Sequence, residues 1–423
     1  MILYRGEICE DKELPRLLER LEADCLETIA GQTIDRETVV AACDALARRV
    51  EAGDYDSVLQ PFLTAFSIDP ARFREALFLF KREALSYKLA VELGPEDLPD
   101  LTPPGRAPIR RRRMPLGVLF HMAAGNVDGL PAYSVVEGLL AGNVNILKLP
   151  AQDRGASLLL LRELVRLESR LQDFVYVFDV PSTDLQSLER FAKIADAVVV
   201  WGGDEAVRAA RTLAGPDTAL ICWGHKLSFA YAVPPVSDGD LEALADHICA
   251  TGQLLCSSCQ GIFLDTGDMG EVYALAERLF PILQAAARRH PPADPALRAR
   301  ATLELYAREL EADSGGRRIC RGGGVSVTAA PDSQLELGLL AGNCWVKPLP
   351  RDQIVPRLKP RKGCLQTAGL LCPEEEREAL SALLARAGVV RVTGPGDMSR
   401  TVPGEAHDGT YPLAAYTRIV EVS

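Results

Sequence analysis

The first quarter of the chain carries the hydrophobic pattern of amphipathic helices. Between residues 12 and 95, segments such as LPRLLERLEADCLETIA and ETVVAACDALARRVEAG repeat apolar residues every three or four positions, with charged residues between them. This spacing predicts helices that each bury one face. A segment rich in proline and arginine, GPEDLPDLTPPGRAPIRRRR, follows them and predicts a loop or linker.

After this segment the pattern changes to short apolar strands that alternate with helices. The predicted strands are GVLFHMA, NVNILKLP, FVYVFDV, DAVVVWGG and TALICWG, and the helices between them are LPAYSVVEGLLAG, RGASLLLLRELVRLESRL, DLQSLERFAKIA and DEAVRAARTLA. Such alternation predicts an α/β fold with a mostly parallel, doubly wound sheet. Sheets of this kind bind ligands at the carboxyl ends of their strands.

Beyond residue 226 the alternation is less regular and predicts a second α/β lobe. Helices are predicted over DLEALADHICATGQLL and EVYALAERLFPILQAAARRH. The pentapeptide LLAGN occurs at residues 139–143 and again at 339–343, each time before a strand-like run. The repeat is either the trace of two similar lobes or a coincidence among small, common residues, and coincidence is the preferred interpretation.

Length and charge exclude several classes of protein. With 423 residues, the chain is long enough for two or three domains and a large buried core. Its net charge of −11 argues against general binding of nucleic acid or of anionic membranes. The basic run RAPIRRRRM is expected to be a solvated connector or a subunit contact.

The expected location of the protein is the cytoplasm. The first residues, MILYRGEICEDKELP, carry acidic side chains where a signal peptide would need an apolar core. No apolar run reaches the roughly 18 residues of a membrane span. The eleven cysteines are odd in number and scattered, unlike a secreted disulfide framework, so reduced thiols are expected.

Two cysteines, Cys256 and Cys259, lie in the stretch GQLLCSSCQG, where a predicted helix enters a turn. A structural zinc site would need a second closely spaced pair of ligands, which the sequence lacks, so no metal is expected. A redox dithiol would need thioredoxin-like surroundings, which are also missing. A plain buried pair stays an alternative, but a single nucleophilic cysteine is favoured.

Further candidates follow the predicted strands of the first sheet. Asn126, in HMAAGNVDG, carries an amide that could stabilise an oxyanion, although Gly-Asn is also ordinary turn chemistry. Lys148 ends its strand where a cofactor ribose or phosphate would lie, although a solvated lysine is the simpler interpretation. Gly202 and Gly203 precede a helix N-terminus that could meet a phosphate, a weak signal because the motif is not GxGxxG.

In order and spacing, these segments resemble the aldehyde dehydrogenase superfamily. The segments GVLFHMAAGN, LLAGNVNILKLP, VVVWGG, CWGHK and GQLLCSSCQ stand where that superfamily has its oxyanion, cofactor and nucleophile motifs. More narrowly, GVLFHMAAGNVDGLP, GHKLSFA, CLQTAGL and HDGTYPL resemble the LuxC family of acyl-CoA reductases. The resemblance covers residues 105–423 and implies an aldehyde dehydrogenase-like fold.

The resemblance also implies a role for each matching residue. Cys256 would be the nucleophile, Asn126 the oxyanion donor, and Lys148 a contact of the cofactor's adenosine ribose. The residues implied to line the dinucleotide are Trp201, Gly202, Gly203, Trp223 and Gly224. The roles of His225 and His407 stay open, and no Glu-x-Phe-x-Pro segment is found for the nicotinamide ribose.

The implied activity is the NADPH-dependent reduction of a fatty or other acyl-CoA to the aldehyde, through an acyl-cysteine on Cys256. NADH is the alternative cofactor, and Lys148 with Arg154 favours NADPH because both could meet a 2′-phosphate. Where hydrolytic aldehyde dehydrogenases have a water-activating glutamate, this chain has Cys222. Release of a free acid is therefore not expected.

Two alternatives stay open, namely another aldehyde or semialdehyde dehydrogenase on the same fold and a non-catalytic acyl-binding scaffold. The acyl group would arrive on CoA or on a protein, and the resemblance implies an acyl-activating protein partner and a homo-oligomer. The expected parts are an N-terminal helical segment (residues 1–104), a Rossmann-type nicotinamide dinucleotide-binding domain (105–225), a catalytic domain (226–405) and a C-terminal strand segment (406–423).

Overall fold

The computed structural model describes residues 1–65, 77–95, 97–123, 129–153, 155–291, 295–311 and 316–423. The chain divides into two compact units, one of residues 1–224 with 402–423 and the other of residues 225–401. Within the described residues, no helix is both long enough and apolar enough to cross a bilayer.

The described strands are β1 (Ile2–Tyr4), β2 (Glu7–Cys9), β3 (Asp97–Leu101), β4 (Ile109–Pro115), β5 (Val118–Met122), β6 (Val144–Lys148), β7 (Val175–Phe178), β8 (Ala197–Trp201), β9 (Ala219–Trp223), β10 (Leu227–Ala232), β11 (Cys259–Leu264), β12 (Arg318–Gly322), β13 (Val325–Ala329), β14 (Asn343–Pro348), β15 (Leu365–Leu371), β16 (Arg391–Thr393) and β17 (Thr417–Val422). The described α-helices are α1 (Leu14–Gly31), α2 (Arg36–Ala52), α3 (Asp56–Ala65), α4 (Arg82–Glu92), α5 (Leu130–Leu140), α6 (Ala156–Leu167), α7 (Leu185–Ile194), α8 (Asp204–Leu213), α9 (Asp238–Thr251), α10 (Met269–Arg289), α11 (Pro295–Glu311), α12 (Ile354–Leu358), α13 (Glu374–Ala387) and α14 (Pro412–Ala415).

The main sheet of the first unit has the strand order β2-β1-β7-β6-β5-β8-β9. Strands β5 to β9 run parallel to one another, and helices α5 to α8 connect them in turn. Every residue of β6 is buried, as expected for a strand covered on both faces of a parallel sheet. The predicted doubly wound architecture is thereby confirmed.

Helices α1 to α4 lie between residues 12 and 95, where the pattern predicts helices, but the first nine residues also contain two strands that the pattern missed. Strand β1 pairs antiparallel with β7 and with β2, so it extends the main sheet of the first unit. Ile2, Leu3 and Tyr4 are all buried. Three residues that are buried on both faces show no alternation, so the hydrophobic pattern could not distinguish this strand from a loop.

The prediction of a loop for the proline- and arginine-rich connector is wrong over two stretches. Strands β3 and β4 form an antiparallel sheet with β17 near the C-terminus, in the order β17-β4-β3. Half-buried and exposed residues alternate along β4, which is the period of a strand with one solvated face. Arginine at residues 110–113 hid this period because one residue type occupies both faces.

The second unit has a sheet of its own in the order β12-β13-β14-β11-β10-β15-β16, as expected for the second α/β lobe. All neighbouring strands are parallel except β12 and β13. The helix predicted to reach residue 255 ends earlier, at Thr251, because Gly252 adopts a left-handed conformation with φ of +56°. Cys256 therefore lies beyond the helix.

The two LLAGN segments differ before the glycine and agree after it. Leu140 ends helix α5, whereas Leu340 lies outside the helices with φ of +66°. Gly142 and Gly342 have φ of +87° and +82°, and each is followed within two residues by a buried parallel strand. Glycine is favoured at both turns because the left-handed region costs it nothing.

Candidate active site

Cys256 lies in a turn between helix α9 and strand β11, and its side chain is exposed. Cys259 begins β11 and is fully buried. The thiol of Cys259 donates to the carbonyl of Gly261 over 3.2 Å, and burial raises the pKa of Cys259 to about 12. A thiol held in its protonated form is a poor nucleophile, so the two cysteines are chemically unequal.

Neither a disulfide nor a metal cluster explains these cysteines. All eleven cysteines of the chain are described, and none of them forms a disulfide. Among the residues that the structure describes, no three His, Cys, Asp or Glu side chains lie together as metal ligands would.

A buried glutamine holds the turn that follows helix α9. Gln253 has φ of +63°, a conformation that costs free energy for any residue with a Cβ. Its Oε1 accepts from the backbone N–H groups of Gly342 and Asn343, each over 3.1 Å, and its Nε2 donates to the carbonyl of Cys259. Three hydrogen bonds from one buried side chain offset that cost and fix the path of the chain toward Cys256.

Ser228, which is fully buried on strand β10, connects the turn that carries Cys256 to strand β15. Its hydroxyl donates to the carbonyl of Cys256 over 2.7 Å and accepts from the N–H of Thr367 over 3.0 Å. The serine thus links strand β15 to the backbone of the candidate nucleophile. Sequence reasoning gave Ser228 no role, although it lies in the family-like segment GHKLSFA.

Gln366 brings a side-chain amide to the sulfur of Cys256. Its Nε2 lies 3.2 Å from the Sγ atom, and the glutamine side chain is only 6% exposed. The two residues are 110 positions apart in the sequence, so only the parallel pairing of the strands brings them together. The segment CLQTAGL was the one signal that could have directed attention to this residue.

Cys256, Ser228 and Gln366 all lie at the amino-terminal ends of strands in the second unit. Cys256 precedes β11, while Ser228 and Gln366 are the second residues of β10 and β15. The three strands are parallel neighbours in the sheet. The candidate nucleophile of the second unit therefore does not lie at the carboxyl ends of the strands, where ligand-binding residues were expected.

In the first unit, the candidates do lie at the carboxyl ends. Lys148 is the last residue of β6 and is 7% exposed, and its Nζ donates to Ser182 Oγ over 2.9 Å. Burial lowers the pKa of Lys148, and the nearby charge of Asp179 acts in the opposite direction. The other two residues predicted for this edge, Asn126 and Arg154, lie outside the described residues.

Two tryptophans and a histidine form a cluster of rings at the same edge. Trp201 and Trp223 end strands β8 and β9, and their ring centroids are 5.4 Å apart. The ring of His407 lies 5.0 Å from that of Trp201 and 5.1 Å from that of Trp223. The fold thus brings together two residues predicted to line a dinucleotide and adds His407, whose role the sequence left open.

The predicted glycines lie directly beyond these tryptophans. Gly202 and Gly203 connect β8 to helix α8, and Gly224 follows β9. A Cβ atom at Gly202 would lie 2.9 Å from the Cβ of Ala206, so helix α8 needs glycine there for its close approach. A Cβ atom at Gly203 would meet no atom within 4 Å, so that position borders open space.

A buried polar chain behind Trp201 was not predicted. Trp201 Nε1 donates to Ser134 Oγ over 3.0 Å, Ser134 Oγ lies 2.8 Å from His121 Nδ1, and His121 Nε2 lies 3.0 Å from Asn145 Oδ1. Because Asn145 Nδ2 donates to the carbonyl of Asn143, its Oδ1 accepts from His121 Nε2–H. Burial lowers the pKa of His121 to about 4, so the imidazole is neutral near pH 7 and accepts from Ser134 at Nδ1. The chain fixes the orientation of the Trp201 ring.

Solved structures with the same fold are aldehyde dehydrogenases. The NAD-dependent benzaldehyde dehydrogenase of Corynebacterium glutamicum superposes with a TM-score of 0.70 at 12% identity, covering 97% of this chain and 90% of that one. An indole-3-acetaldehyde dehydrogenase in complex with NAD+ gives a TM-score of 0.71 at 13% identity, covering 98% and 89%. At these identities the likeness establishes the fold alone.

A family model described as acyl-CoA reductase (LuxC) matches residues 33–419. This chain belongs to the LuxC family. The long-chain acyl-protein thioester reductase of Aliivibrio fischeri is 25% identical over 319 residues, which cover 73% of this chain and 64% of that relative. The protein of the same name from Vibrio harveyi is 25% identical over 364 residues, covering 82% and 72%. The LuxC resemblance predicted from the sequence is confirmed.

Cys222 is the residue that the sequence analysis expects at the position of the glutamate of hydrolytic aldehyde dehydrogenases. Cys222 is half-buried and directly precedes Trp223 at the end of strand β9. A thiol at this position lacks the carboxylate that would take a proton from water. His225 follows two residues after Trp223 and is exposed.

The carboxyl edge of the first unit fits a nicotinamide dinucleotide in part. The open space beside Gly203 and the buried ammonium of Lys148 suit a ribose or an anionic group. Asp204 and Glu205 in the first turn of helix α8 are exposed, and their charges oppose a phosphate at that N-terminus. At this edge, Lys148 is therefore better placed than the N-terminus of helix α8 to meet an anionic group.

Proposed function

We propose that this chain reduces a long-chain acyl thioester to the aldehyde through an acyl-cysteine on Cys256, with NADPH as the reductant and NADH as the alternative. The observation that carries the proposal is the exposed thiol of Cys256, held in a turn beside an amide donor, next to a buried Cys259. Membership of the LuxC family supports the substrate class. Because the chain spans 64% of the Aliivibrio relative, the activity as a whole is part of the proposal.

The first step exchanges one thioester for another. The thiolate of Cys256 attacks the acyl carbonyl, and the carbon–sulfur bond to the donor breaks, so the donor leaves as a thiolate. By the roles that the resemblance implies, the amide of Asn126 and the backbone N–H of Cys256 would stabilise the oxyanion, and one such donor stabilises a transition state by roughly 3–4 kcal/mol. Exchange between thioesters is nearly balanced, so this step needs no added driving force.

The second step releases the acyl group as an aldehyde. A reduced nicotinamide, when bound, supplies the hydride that converts the acyl carbon to the aldehyde level. Lys148 would hold its adenosine ribose, and Trp201, Gly202, Gly203, Trp223 and Gly224 would line the dinucleotide. Cys256 then departs as a thiolate, and Cys222 in place of glutamate disfavours hydrolysis to the acid.

The acyl donor is proposed to be an acyl-CoA or an acylated protein. Names of the relatives refer to acyl-protein thioesters, which supports an acyl-activating protein partner for this chain as well. A homo-oligomer and a cytoplasmic location complete the proposal, and the absence of disulfides among all eleven cysteines is compatible with a reducing compartment.

The test compares Cys256→Ala with the matched variant Cys259→Ala. Purified proteins are incubated with acyl-CoAs of increasing chain length and their intact masses are measured. We expect an acyl adduct on the wild type and on Cys259→Ala, and none on Cys256→Ala. NADPH oxidation with aldehyde formation should follow the same pattern, with Cys256→Ala at least a thousandfold slower because it lacks the nucleophile.

Other outcomes would replace the proposal. An acyl adduct that persists in Cys256→Ala assigns the nucleophile elsewhere. Oxidation of aldehydes to acids, without any reduction of acyl-CoA, would identify a different dehydrogenase on this fold. Failure of the wild type to bind NADPH or NADH would indicate a non-catalytic acyl-binding scaffold.

A further inference from the structure

A bulge in the sheet of the second unit directs Gln366 toward the nucleophile. Leu227 pairs with Leu365, but Phe229 pairs with Ala368, so the register shifts by one residue between these pairs. Two residues of β15, Gln366 and Thr367, therefore oppose the single residue of β10 between the two pairs. A bulge re-aims side chains that would otherwise alternate strictly between faces of the sheet.

Strand β10, which lies between β11 and β15, stabilises the bulge. Ser228, the single residue opposite the bulge, accepts from the N–H of Thr367 and donates to the carbonyl of Cys256. One buried hydroxyl thus fixes both the strand that carries Gln366 and the turn that carries the thiol. The 3.2 Å contact between Gln366 Nε2 and Cys256 Sγ is the result of this arrangement.

The chemistry of the amide suits a sulfur that must carry negative charge. A thiolate has only lone pairs, so it is stabilised by an N–H donor and repelled by an oxygen acceptor. Gln366 presents its Nε2 rather than its Oε1 to the sulfur. Since the amide is 6% exposed, little water competes for this contact, and a hydrogen bond to a charged group is stronger there than in water.

We propose that Gln366 is a catalytic residue that donates a hydrogen bond to the thiolate of Cys256. The proposal rests on Cys256 being the nucleophile. The hydrogen bond favours the thiolate before attack on the acyl carbon and lets the cysteine depart as a thiolate when the carbon–sulfur bond of the intermediate breaks. The same N–H thus serves the nucleophile of the first step and the leaving group of the second.

The test measures how the alkylation of Cys256 by iodoacetamide depends on pH, with peptide mass spectrometry to follow this cysteine alone. Gln366→Met keeps the length of the side chain without a donor. We expect the midpoint of its pH–rate profile to rise by about one pH unit, with a roughly tenfold slower reaction at pH 7. Gln366→Glu should raise the midpoint further because a carboxylate repels the thiolate.

The matched control is Gln334→Met, an exposed glutamine of the same unit, whose profile should superpose on that of the wild type. Circular dichroism and thermal unfolding show that each variant is folded, and Gln366→Glu carries the test if Gln366→Met is not. A midpoint equal to that of the wild type in the folded Gln366 variant would overturn the proposal.

Alkylation needs neither an acyl donor nor a nicotinamide, so the two proposals fail separately. A raised midpoint in Gln366→Met together with no acyl adduct on the wild type would remove the proposed reductase activity and retain the donor role of Gln366. An unchanged midpoint together with normal aldehyde formation would remove the donor role of Gln366 and retain the proposed reductase activity.

Discussion

The two main sheets of this molecule present their candidate chemistry at different ends of their own strands. In the first unit, Lys148, Trp201 and Trp223 are the last residues of β6, β8 and β9. In the second unit, Cys256 and Gln366 lie where β11 and β15 begin. Two sheets with similar parallel topology therefore differ in which edge carries the candidate residues.

The difference follows from what each end of a parallel strand offers. At the carboxyl end, each strand leads into a loop and a helix N-terminus, which leave glycines and backbone N–H groups available to a large ligand. At the amino end, β10 and β15 bring a hydroxyl and an amide beside the turn that enters β11. The carboxyl edge suits the binding of a cofactor, and the amino edge suits the positioning of one reactive atom.

Each unit also buries one histidine, His121 in the first and His247 in the second. Lowering the pH should show whether protonation of these two histidines destabilises the protein to the same extent. Burial lowers the pKa of His121 and of His247 to about 4. Between pH 6.5 and pH 4, each of these histidines binds a proton more readily in the unfolded chain than in the folded one. The free energy of unfolding is therefore highest above pH 6.5 with respect to these groups, and it falls as the pH falls toward 4. The loss should approach about 3 kcal/mol for each histidine.

Urea unfolding between pH 7.5 and pH 4.5 measures this effect in the wild type, His121→Gln and His247→Gln. Each variant should show a shallower fall of the unfolding free energy with pH, because it lacks one titrating group. Gln334→Met, which changes an exposed side chain that does not titrate, supplies the control and should follow the wild type. An unchanged pH dependence in both core variants would contradict the prediction.

Protonation of His247 should also weaken a hydrogen bond at the end of the turn that carries Cys256. Its Nε2 accepts from the N–H of Cys259 over 3.3 Å, and a protonated imidazole cannot accept.

Two buried lysines provide the next comparison. Lys148 ends β6 and donates to the hydroxyl of Ser182, whereas Lys347 near the end of β14 donates to Asp332 and Glu336, each over 2.7 Å. The charge of Lys347 is neutralised by these two carboxylates, whereas Lys148 donates to a neutral hydroxyl. We infer that Lys347 stabilises its unit and that Lys148 serves a ligand.

Replacing each lysine by methionine should separate these roles. Lys347→Met should lower the free energy of unfolding by about 2 kcal/mol, because two carboxylates lose a buried cation. Lys148→Met should weaken NADPH binding about tenfold, with a smaller effect on unfolding. Fluorescence titration with NADPH and urea unfolding measure the two effects. Equal losses of NADPH binding in both variants would contradict the assignment.

The hydrophobic pattern predicted most of the elements because long helices and buried strands carry clear periods. It missed β1, which is three residues long, and β4, where arginine occupies both faces. Such strands are defined by their partners, β7 and β17, which are remote in the sequence. Local patterns contain no information about pairing of this kind.

The site was predictable only where a motif marks it. Cys256 and Lys148 stand in segments that resemble family motifs, so the sequence singled them out before any geometry was known. Ser228 and Gln366 also stand in family-like segments, but their contacts depend on a bulge and on three neighbouring strands, so no role could be assigned to them from the sequence. The polar chain of His121 was hidden in the same way, inside an apolar strand.

The smallest expected effect concerns Ser228, whose hydroxyl connects strand β15 to the turn that carries Cys256. Ser228→Ala should lower the free energy of unfolding by about 1 kcal/mol and slow the alkylation of Cys256 several-fold, since the turn loses its anchor to β10. The control is Ser237→Ala, which removes the N-cap of helix α9 at a similar cost without touching the turn. Urea unfolding and the alkylation rate at pH 8 are measured for both. If the two variants alkylate equally fast, Ser228 stabilises the sheet without positioning the thiol, and the amino edge owes its reactivity to Gln366 alone.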